Sequence, residues 1–488
     1  MKSIFQKTCP AIQKVFESAE QPDRVVIVPI DYAKKTHMAL ICNGAGHQLR
    51  KPFPVQNNPE GVSFLEDVIE GVRRKHGLQA EHVILAGEDG GSFTFNFIHA
   101  LCVRGRLVIG VNAQDAKAER KQMAASTDKI DLQGIVSLIL KREGREVQSV
   151  YTQATMLRGL THHRDALVRS QTASSLRMHT LVDQLCPGFL DSRQSGVSPF
   201  TDASLWLMSE RFSPAQLRAR RTPALIRKLR DFQVDEPEET ARQIKALANS
   251  VLPPPEALSQ SLQFNLCREV EVYQALQQSV HRSTADIARH LAATPGAMLT
   301  TMPAVAIVSA AGLYAELADP ARRRALPRMA AYAGIVTRLK QTGGPEKEAR
   351  SAGRHRRGNK TLNNILYMMI RQLKQNGHPE LREDYARRLE AGQDVRFTMA
   401  RRMLRIVMHL IEHNAFFLPP SLLEDPNPDR AREYYQKSWK GILIKWRNAG
   451  AIRQAFAENA PLEQWRRMLN ERYDLRLSNV SPQHGQTT

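Results

Sequence analysis

The sequence predicts two kinds of structure in succession, an α/β domain followed by a helical remainder. Between residue 24 and about residue 147, short apolar or alternating runs that are typical of strands are interspersed with segments of helical spacing. Beyond about residue 147, long amphipathic segments follow one another and no strand pattern of similar quality recurs. A chain of 488 residues is too long for one ordinary domain, so we expect two or three units.

The order of the N-terminal elements narrows the fold class. Three extended segments follow Arg24 as a meander, with a turn at Asn43-Gly44 between two of them. A helix over "NPEGVSFLEDVIEGVRRKHG", a buried strand in "EHVILAGEDGG", a helix near 93–103 and the strand "RLVIGVN" come next. Meander, helix, strand, helix, strand is the order of a ribonuclease-H-like fold, in which helices cover a mixed sheet.

Composition shifts along the chain predict its further division. Prolines and an acidic start mark 235–255 as the expected linker, and the C-terminal residues after Pro419 are basic and aromatic before a polar tail. We therefore expect a leader at 1–23, the α/β domain at 24–147, a long α-helical connector at 148–290 with the linker near 235–255, an all-α domain at 291–418, and a basic aromatic extension and tail at 419–488.

The charge balance favours a polyanionic partner. Lys and Arg total 69 against 49 Asp and Glu, which gives a net charge of +20, and nucleic acid is the first candidate. No membrane association is expected, because the apolar run between His290 and Glu316 is broken by Pro295, Gly296 and Pro303. With no secretory leader visible and five scattered cysteines that suggest neither zinc nor disulfides, we expect a cytoplasmic protein.

Four acids occupy strand ends and the following helix start: Asp31, Glu88, Asp128 and Asp131. Each alone is explained as a helix cap or a solvated turn residue. Together, in this strand order, they predict a convergent carboxylate site. Adjacent carboxylates repel unless a cation lies between them, and Mg²⁺ prefers oxygen ligands. A pair of such ions stabilises the attacking and leaving oxygens of a phosphodiester displacement.

Three segments that contain these acids resemble a known family. "VPIDYAKKTHMAL", "GEDGGSF" and "STDKIDLQG" are similar to the signature stretches of the DEDD transposases of bacterial insertion sequences, the IS110 family, whose relatives include the Piv DNA invertase. The resemblance implies that Asp31, Glu88, Asp128 and Asp131 are the metal-binding tetrad of a RuvC-like domain. Pro29 replaces the family's usual glycine and Ser126 its lysine.

The later helices resemble the family's second, α-helical transposase domain. "LTTMPAVAIVSAAGLYAEL", "MAAYAGI" and "RRGNKTLNNILYMM" are the matching stretches. There the family has a serine in a short Q-S-G motif, understood to attack DNA and form a covalent phosphoserine link. This chain reads "KQTGG", so the matching hydroxyl is Thr342. Ser351, in the same loop, is the alternative nucleophile, and loss of the covalent chemistry is a third interpretation.

Four basic residues and one asparagine beside this loop are candidate nucleic-acid ligands: Arg354, Arg356, Arg357, Lys360 and Asn359. The alternative is a solvated, charged helix start. In the C-terminal extension, Tyr434, Tyr435, Trp439 and Trp446 are predicted either to stack on unpaired bases or, with neighbours such as Ile442, to form the core of a small helix.

The resemblance implies an insertion-sequence transposase that cuts and rejoins DNA at the element ends and target. It also implies a homo-oligomer, a dimer or tetramer, and adds a structured bridge RNA as a candidate partner. We expect such a protein to work at the nucleoid. Two alternatives stay open: a metal-dependent junction nuclease whose second domain only binds, and a decayed, non-catalytic nucleic-acid-binding derivative.

Overall fold

The computed structural model describes residues 8–88, 92–120, 128–147, 152–210, 212–318, 326–340, 350–354, 358–424 and 427–478. Within these ranges the side chains of 92, 128–130, 337–340 and 350–354 are left out. The chain divides into two compact units, Met1–Thr155 and Met156–Thr488.

The first unit is built on a mixed sheet. Within its described residues the strands are β1 (Val26–Asp31), β2 (Thr36–Asn43), β3 (Gln48–Gln56), β4 (Val83–Glu88), β5 (Leu107–Val111) and β6 (Arg145–Glu146). They lie in the order β3-β2-β1-β4-β5-β6. β1 to β3 pair antiparallel, β4 and β5 continue from β1 in parallel, and β6 pairs antiparallel with β5. The predicted meander and mixed α/β sheet are confirmed.

Helices cover both faces of this sheet. Successive side chains of the central strand β1 point to opposite faces, and each face packs into its own core. Val26 and Val28 belong to one core and Ile27 to the other. The helices of the unit are α1 (Pro10–Ser18), α2 (Pro59–His76), α3 (Phe95–Val103), α4 (Ala113–Arg120) and α5 (Asp128–Leu140), with 3₁₀ turns at Pro22–Arg24, Ala80–His82 and Ser92–Thr94. α2 and α3 pack on the first core, and α1 and α5 on the second.

The expected leader at 1–23 is corrected in part by α1. This helix buries Ile12, Val15 and Phe16 in the same core as α5. Its apolar positions are few, but they pack against a sheet face that would otherwise be exposed to water. The leader therefore contributes a structural helix to the first unit.

The second unit is mostly helical. Its helices are α6 (Gln153–Leu185), which begins just before the unit boundary, α7 (Ser192–Ser195), α8 (Asp202–Ser209), α9 (Pro214–Ala219), α10 (Thr222–Asp231), α11 (Pro237–Ser250), α12 (Glu256–Ala292), α13 (Ile307–Leu317), α14 (Leu326–Tyr332), α15 (Lys360–Asn376), α16 (Pro379–Glu390), α17 (Val395–Glu412), α18 (Pro420–Glu424), α19 (Pro428–Asn448), α20 (Ile452–Ala455) and α21 (Pro461–Tyr473), and Pro295–Thr301 forms a 3₁₀ helix. None of the helices within the described ranges is long and apolar enough to span a membrane.

Two expectations about this unit differ from the structure. The expected linker near 235–255 is largely α11, which buries Ile244 and Leu247, because its prolines lie at the helix start and beyond its end. The domain expected to be all-α contains two strands, β7 (Thr337–Lys340) and β8 (Arg350–Arg354), which pair antiparallel.

The C-terminal extension is part of the second unit's main core. Tyr435, Trp439 and Trp446 of α19 are buried, in one cluster with residues of α13, α15 and α17. Trp446 donates to the hydroxyl of Thr300 at 3.1 Å. The helix-core interpretation of these aromatic residues is therefore confirmed, and base stacking by these three rings is excluded by their burial.

Candidate active site

The carboxyl ends of two neighbouring parallel strands bring the first two predicted acids together. β1 and β4 pair with Ile30 opposite Gly87, so that Asp31 and Glu88 follow side by side. Glycine is required at 87, because a β-carbon there would lie 2.2 Å from the ring of Tyr32. The backbone register thus aligns the two carboxylates at one edge of the sheet.

Helix α5 supplies a third acid to this edge. Asp131 lies in the first turn of α5 and Asp128 is its first residue. Asp131 and Glu88 contact the same guanidinium, that of Arg120, and the strand register places Asp31 beside Glu88, so the three acids are neighbours. The side chain of Asp128 is outside the described part of the chain. Its spacing of three residues from Asp131 predicts that both face the same side of the helix.

The environment of Glu88 disfavours its charged form. Burial, together with the negative charges of Asp31 and Asp131, raises the pKa of Glu88, and nearby Arg120 opposes that shift. The oxygen Oε1 of Glu88 is buried and accepts no hydrogen bond. A carboxylate oxygen that accepts no hydrogen bond can still bind a cation.

Arg120, the last residue of α4, lies between two of the acids. Its Nη2 is 2.9 Å from Glu88 Oε1, and its Nη1 contacts Asp131 Oδ1. The contact with Glu88 is at ion-pair distance but lacks the angle of a hydrogen bond, which is why Oε1 has no donor. Nothing in "AKAERKQ" distinguishes this residue from a solvated arginine, so the sequence does not predict its role.

The donor set fits a hard divalent cation. Asp31, Glu88 and Asp131 offer carboxylate oxygens, and the Glu88 oxygen without a hydrogen bond already faces a positive group. Among the side chains that the structure describes, no group of three or more His, Cys, Asp or Glu is arranged to hold a metal ion. The acids are therefore close together, but their oxygens are not arranged as metal ligands while Arg120 contacts two of them.

In the second unit, β7 and β8 flank the segment that contains the predicted nucleophile. Thr342 lies outside the described residues, as do Arg356 and Arg357. Ser351 lies on β8 opposite Leu339, and Arg354 lies opposite Thr337. Ser351 is therefore on a paired strand, in a region that sequence patterns assigned to a loop.

The base of this hairpin is closed by direct backbone contact. Asn359 N donates to Tyr332 O at 2.7 Å, which joins the end of α14 to the start of α15. Gly358 has φ +144, and a β-carbon on it would lie 2.7 Å from the Cα of Gly334. Two glycines are needed for this approach. Asn363 Nδ2 adds a bond to Ala333 O at 2.9 Å.

A buried carboxylate, Glu316 of α13, holds both ends of the hairpin. Tyr332 Oη donates to Glu316 Oε2 at 3.0 Å, and Asn359 Nδ2 donates to the same oxygen at 2.6 Å. Arg158 Nε donates to the other oxygen, Oε1, at 3.1 Å, and His162 Nε2 is 3.9 Å from it. We call this set of five residues the Glu316 cluster.

The Glu316 cluster changes the interpretation of one predicted DNA ligand. Asn359 caps α15 by accepting from Leu362 N at 2.9 Å, and its amide nitrogen contacts Glu316 and Tyr332. Its side chain is thus engaged within the protein. Lys360 is exposed at the first position of the same helix.

Comparison with protein families covers both regions. A model of DEDD transposases of IS110 type, described as "Transposase", matches residues 28–187, and one described as "Transposase IS116/IS110/IS902 family" matches residues 296–386. The chain belongs to the IS110 family of transposases. The first match contains all four predicted acids, and the second contains the hairpin and Glu316.

Membership in the IS110 family implies DNA binding and DNA cutting in general. DEDD transposases typically use a divalent metal. A search of curated proteins found no match to this chain. The second match ends at residue 386, so the buried C-terminal helices lie outside it.

Proposed function

We propose that this IS110-family protein cuts and rejoins DNA with an acidic RuvC-like site and a hydroxyl nucleophile. The tetrad Asp31, Glu88, Asp128 and Asp131 would hold Mg²⁺. The observation that supports this most is the partly buried Glu88 carboxylate, which has Asp31 and Asp131 nearby and one buried oxygen without a hydrogen bond. A protein that needed these acids only for its fold would pair each of them fully.

The metal, when bound, would neutralise charge that develops on the phosphate oxygens. The hydroxyl oxygen of Thr342 would form a bond to the scissile phosphorus while the bond from phosphorus to the leaving sugar oxygen breaks. The hydroxyl proton would pass to solvent, and the leaving oxygen would take up a proton. Rejoining is the reverse step with a new sugar hydroxyl, so no oxidant or high-energy cofactor is needed.

The hairpin between β7 and β8 suits a nucleophile because its base is fixed. The Glu316 cluster and the Gly334–Gly358 contact restrict both ends of the segment that contains Thr342 and Ser351. A preorganised hydroxyl reaches phosphorus with a smaller entropy cost. Arg354 and Lys360, with Arg356 and Arg357, would bind the flanking phosphates. The threonine methyl group crowds an in-line attack, so Ser351 remains the alternative.

The experiment is a covalent-adduct assay. Purified protein, with any co-purifying RNA, is incubated with Mg²⁺ and a labelled plasmid carrying the element's own junction, and denaturation-resistant protein–DNA adducts are counted. We expect an adduct in wild type and in Ser351→Ala but none in Thr342→Ala, so that each variant is the control for the other. The opposite pattern would move the nucleophile to Ser351.

The two rival functions have their own outcomes in this assay. Cutting without an adduct, abolished by Asp128→Ala, would favour a metal-dependent nuclease. Binding without cutting on a validated junction would favour a decayed transposase. The same preparation tests the partners: we infer a homo-oligomer with a structured bridge RNA, acting in the cytoplasm at the nucleoid. Ribonuclease treatment that left cleavage unchanged would contradict the RNA part.

A further inference from the structure

Arg120 directly contacts two acids of the acidic site. One guanidinium contacts Glu88 at the end of β4 and Asp131 in α5, two acids from different elements. Only 21% of its side chain is exposed. A guanidinium has a planar fork of donors that suits two carboxylates at once.

A glycine in α5 makes room for this arginine. A β-carbon on Gly134 would lie 2.9 Å from Arg120 Cγ and 3.0 Å from Ala116 O, so any larger residue would push α4 and the arginine stem away. Glycine within a helix is destabilising relative to alanine. Its presence one turn after Asp131 indicates that the close passage of Arg120 matters more than the helix propensity of α5.

The arginine and a metal ion compete for the same oxygens. A divalent cation of this kind binds carboxylate oxygens at about 2.1 Å, whereas Arg120 Nη2 is already 2.9 Å from Glu88 Oε1. Both cations cannot contact these oxygens together without severe repulsion. Without any cation, the neighbouring acids would repel one another.

We propose that Arg120 is a positioning residue that occupies the acidic site of the metal-free protein and moves aside when a divalent cation binds. The inference rests on the proposed metal-binding role of the tetrad. Arg120 then has two effects: it keeps the acids together in the metal-free protein, and it lowers the apparent affinity for the metal.

The test measures metal binding without DNA or catalysis. Mn²⁺ alone is titrated into full-length protein, and the free-ion EPR signal reports binding. We expect Arg120→Gln to bind Mn²⁺ roughly tenfold more tightly than wild type. Lys117→Gln, which removes an exposed charge from the same helix, should change affinity by less than about twofold. Glu88→Gln should abolish the tight site.

Thermal melting provides the second readout. Metal-free Arg120→Gln should melt below wild type, and saturating Mg²⁺ should raise its melting temperature by more than it raises that of wild type. Arg120→Lys keeps the charge but not the planar fork of donors, so its Mn²⁺ affinity should fall between those of wild type and Arg120→Gln. This second variant is the control for misfolding of Arg120→Gln. Equal or weaker Mn²⁺ binding by both variants would overturn the role of Arg120. No binding in any protein, wild type included, would overturn the metal site itself.

Discussion

Glu88 in the first unit and Glu316 in the second are both partly or fully buried, and both face an arginine, yet their surroundings differ. Glu316 accepts hydrogen bonds from Tyr332, Asn359 and Arg158, with neither oxygen left without a donor. Glu88 has Arg120 as its ion-pair partner, neighbouring acids and an oxygen without a hydrogen bond. One carboxylate is fully paired and the other is not.

The difference separates a structural charge from a functional one. A buried charge with complete hydrogen bonding fixes the elements that contact it, because removing either partner leaves the other unpaired. A buried charge held among like charges is unfavourable for the fold and is retained only where something else selects for it. On this argument Glu316 fixes the hairpin, whereas Glu88 suits the metal-binding role that we propose for it.

The largest effect that would test the contrast is expected at Glu88. Glu88→Gln should reduce DNA cleavage by about a thousandfold or more, since it removes one of the proposed metal ligands. The same change should leave the metal-free melting temperature unchanged or higher, because the raised pKa of Glu88 means that its charge disfavours folding. Glu81→Gln, an exposed acid just before β4, is the control. A clear loss of stability in Glu88→Gln would place it with Glu316.

Glu316 should show the opposite pattern. Glu316→Ala should lower the free energy of unfolding of the second unit by about 3 kcal/mol, because Arg158, Tyr332 and Asn359 lose their shared acceptor. All four tryptophans belong to this unit, so their fluorescence during urea unfolding reports it selectively. Glu412→Ala, at an exposed position of α17, should change stability by less than about 0.5 kcal/mol. Equal effects of the two substitutions would contradict the structural role.

Asp384, like Glu316, is a buried carboxylate paired with donors, and its contribution to stability depends on pH. Burial raises the pKa of Asp384, but hydrogen bonds from Arg388, Arg387 and Arg402 lower it by a larger amount. The net result is a pKa of about 2, against an ordinary value of 3.8. A depressed pKa contributes stability above the unfolded value, and this contribution disappears as the pH falls towards the folded value. Asp384→Asn should therefore cost about 2 kcal/mol at pH 6.

Most of that difference from wild type should vanish near pH 2.5, measured by urea unfolding with tryptophan fluorescence. Asp429→Asn, an exposed acid at the start of α19, is the matched control. Its difference from wild type should be small at both values of pH. A cost for Asp384→Asn that stayed constant between pH 6 and pH 2.5 would show that its charge is not responsible.

Much of the first unit was predictable because its strands have local signals. Buried apolar runs and the Asn43-Gly44 turn gave the order of β1 to β5, and acids at strand ends gave Asp31 and Glu88. α4 was missed because "AQDAKAER" buries only Ala116 among its apolar positions, which leaves no periodic pattern. β6 was missed because a strand of two residues has none.

The interactions that distinguish the two carboxylates were not predictable from the sequence. Arg120 reaches the acids only because Gly134 lets α4 approach α5, a tertiary contact without a local pattern. Glu316 left a weak signal, a single acid in the apolar helix "IVSAAGLYAEL", which indicates a buried and paired charge. His162 is 3.9 Å from Glu316 through a contact between residues far apart in the chain.

The smallest effect concerns Asn359 and the role of its neighbour Lys360. Asn359→Ser keeps a capping oxygen for Leu362 N but loses the bond to Glu316, so it should cost about 1 kcal/mol of stability and leave DNA affinity unchanged. Lys360→Ala, at the exposed first position of α15, should do the reverse: it should weaken DNA binding, reduce the salt dependence of that binding and leave the unfolding curve in place. Fluorescence anisotropy at two salt concentrations, paired with urea unfolding, measures both. If Asn359→Ser weakened DNA binding as much as Lys360→Ala did, the amide would contact DNA directly, and the Glu316 cluster would be part of the binding surface as well as the hairpin's support.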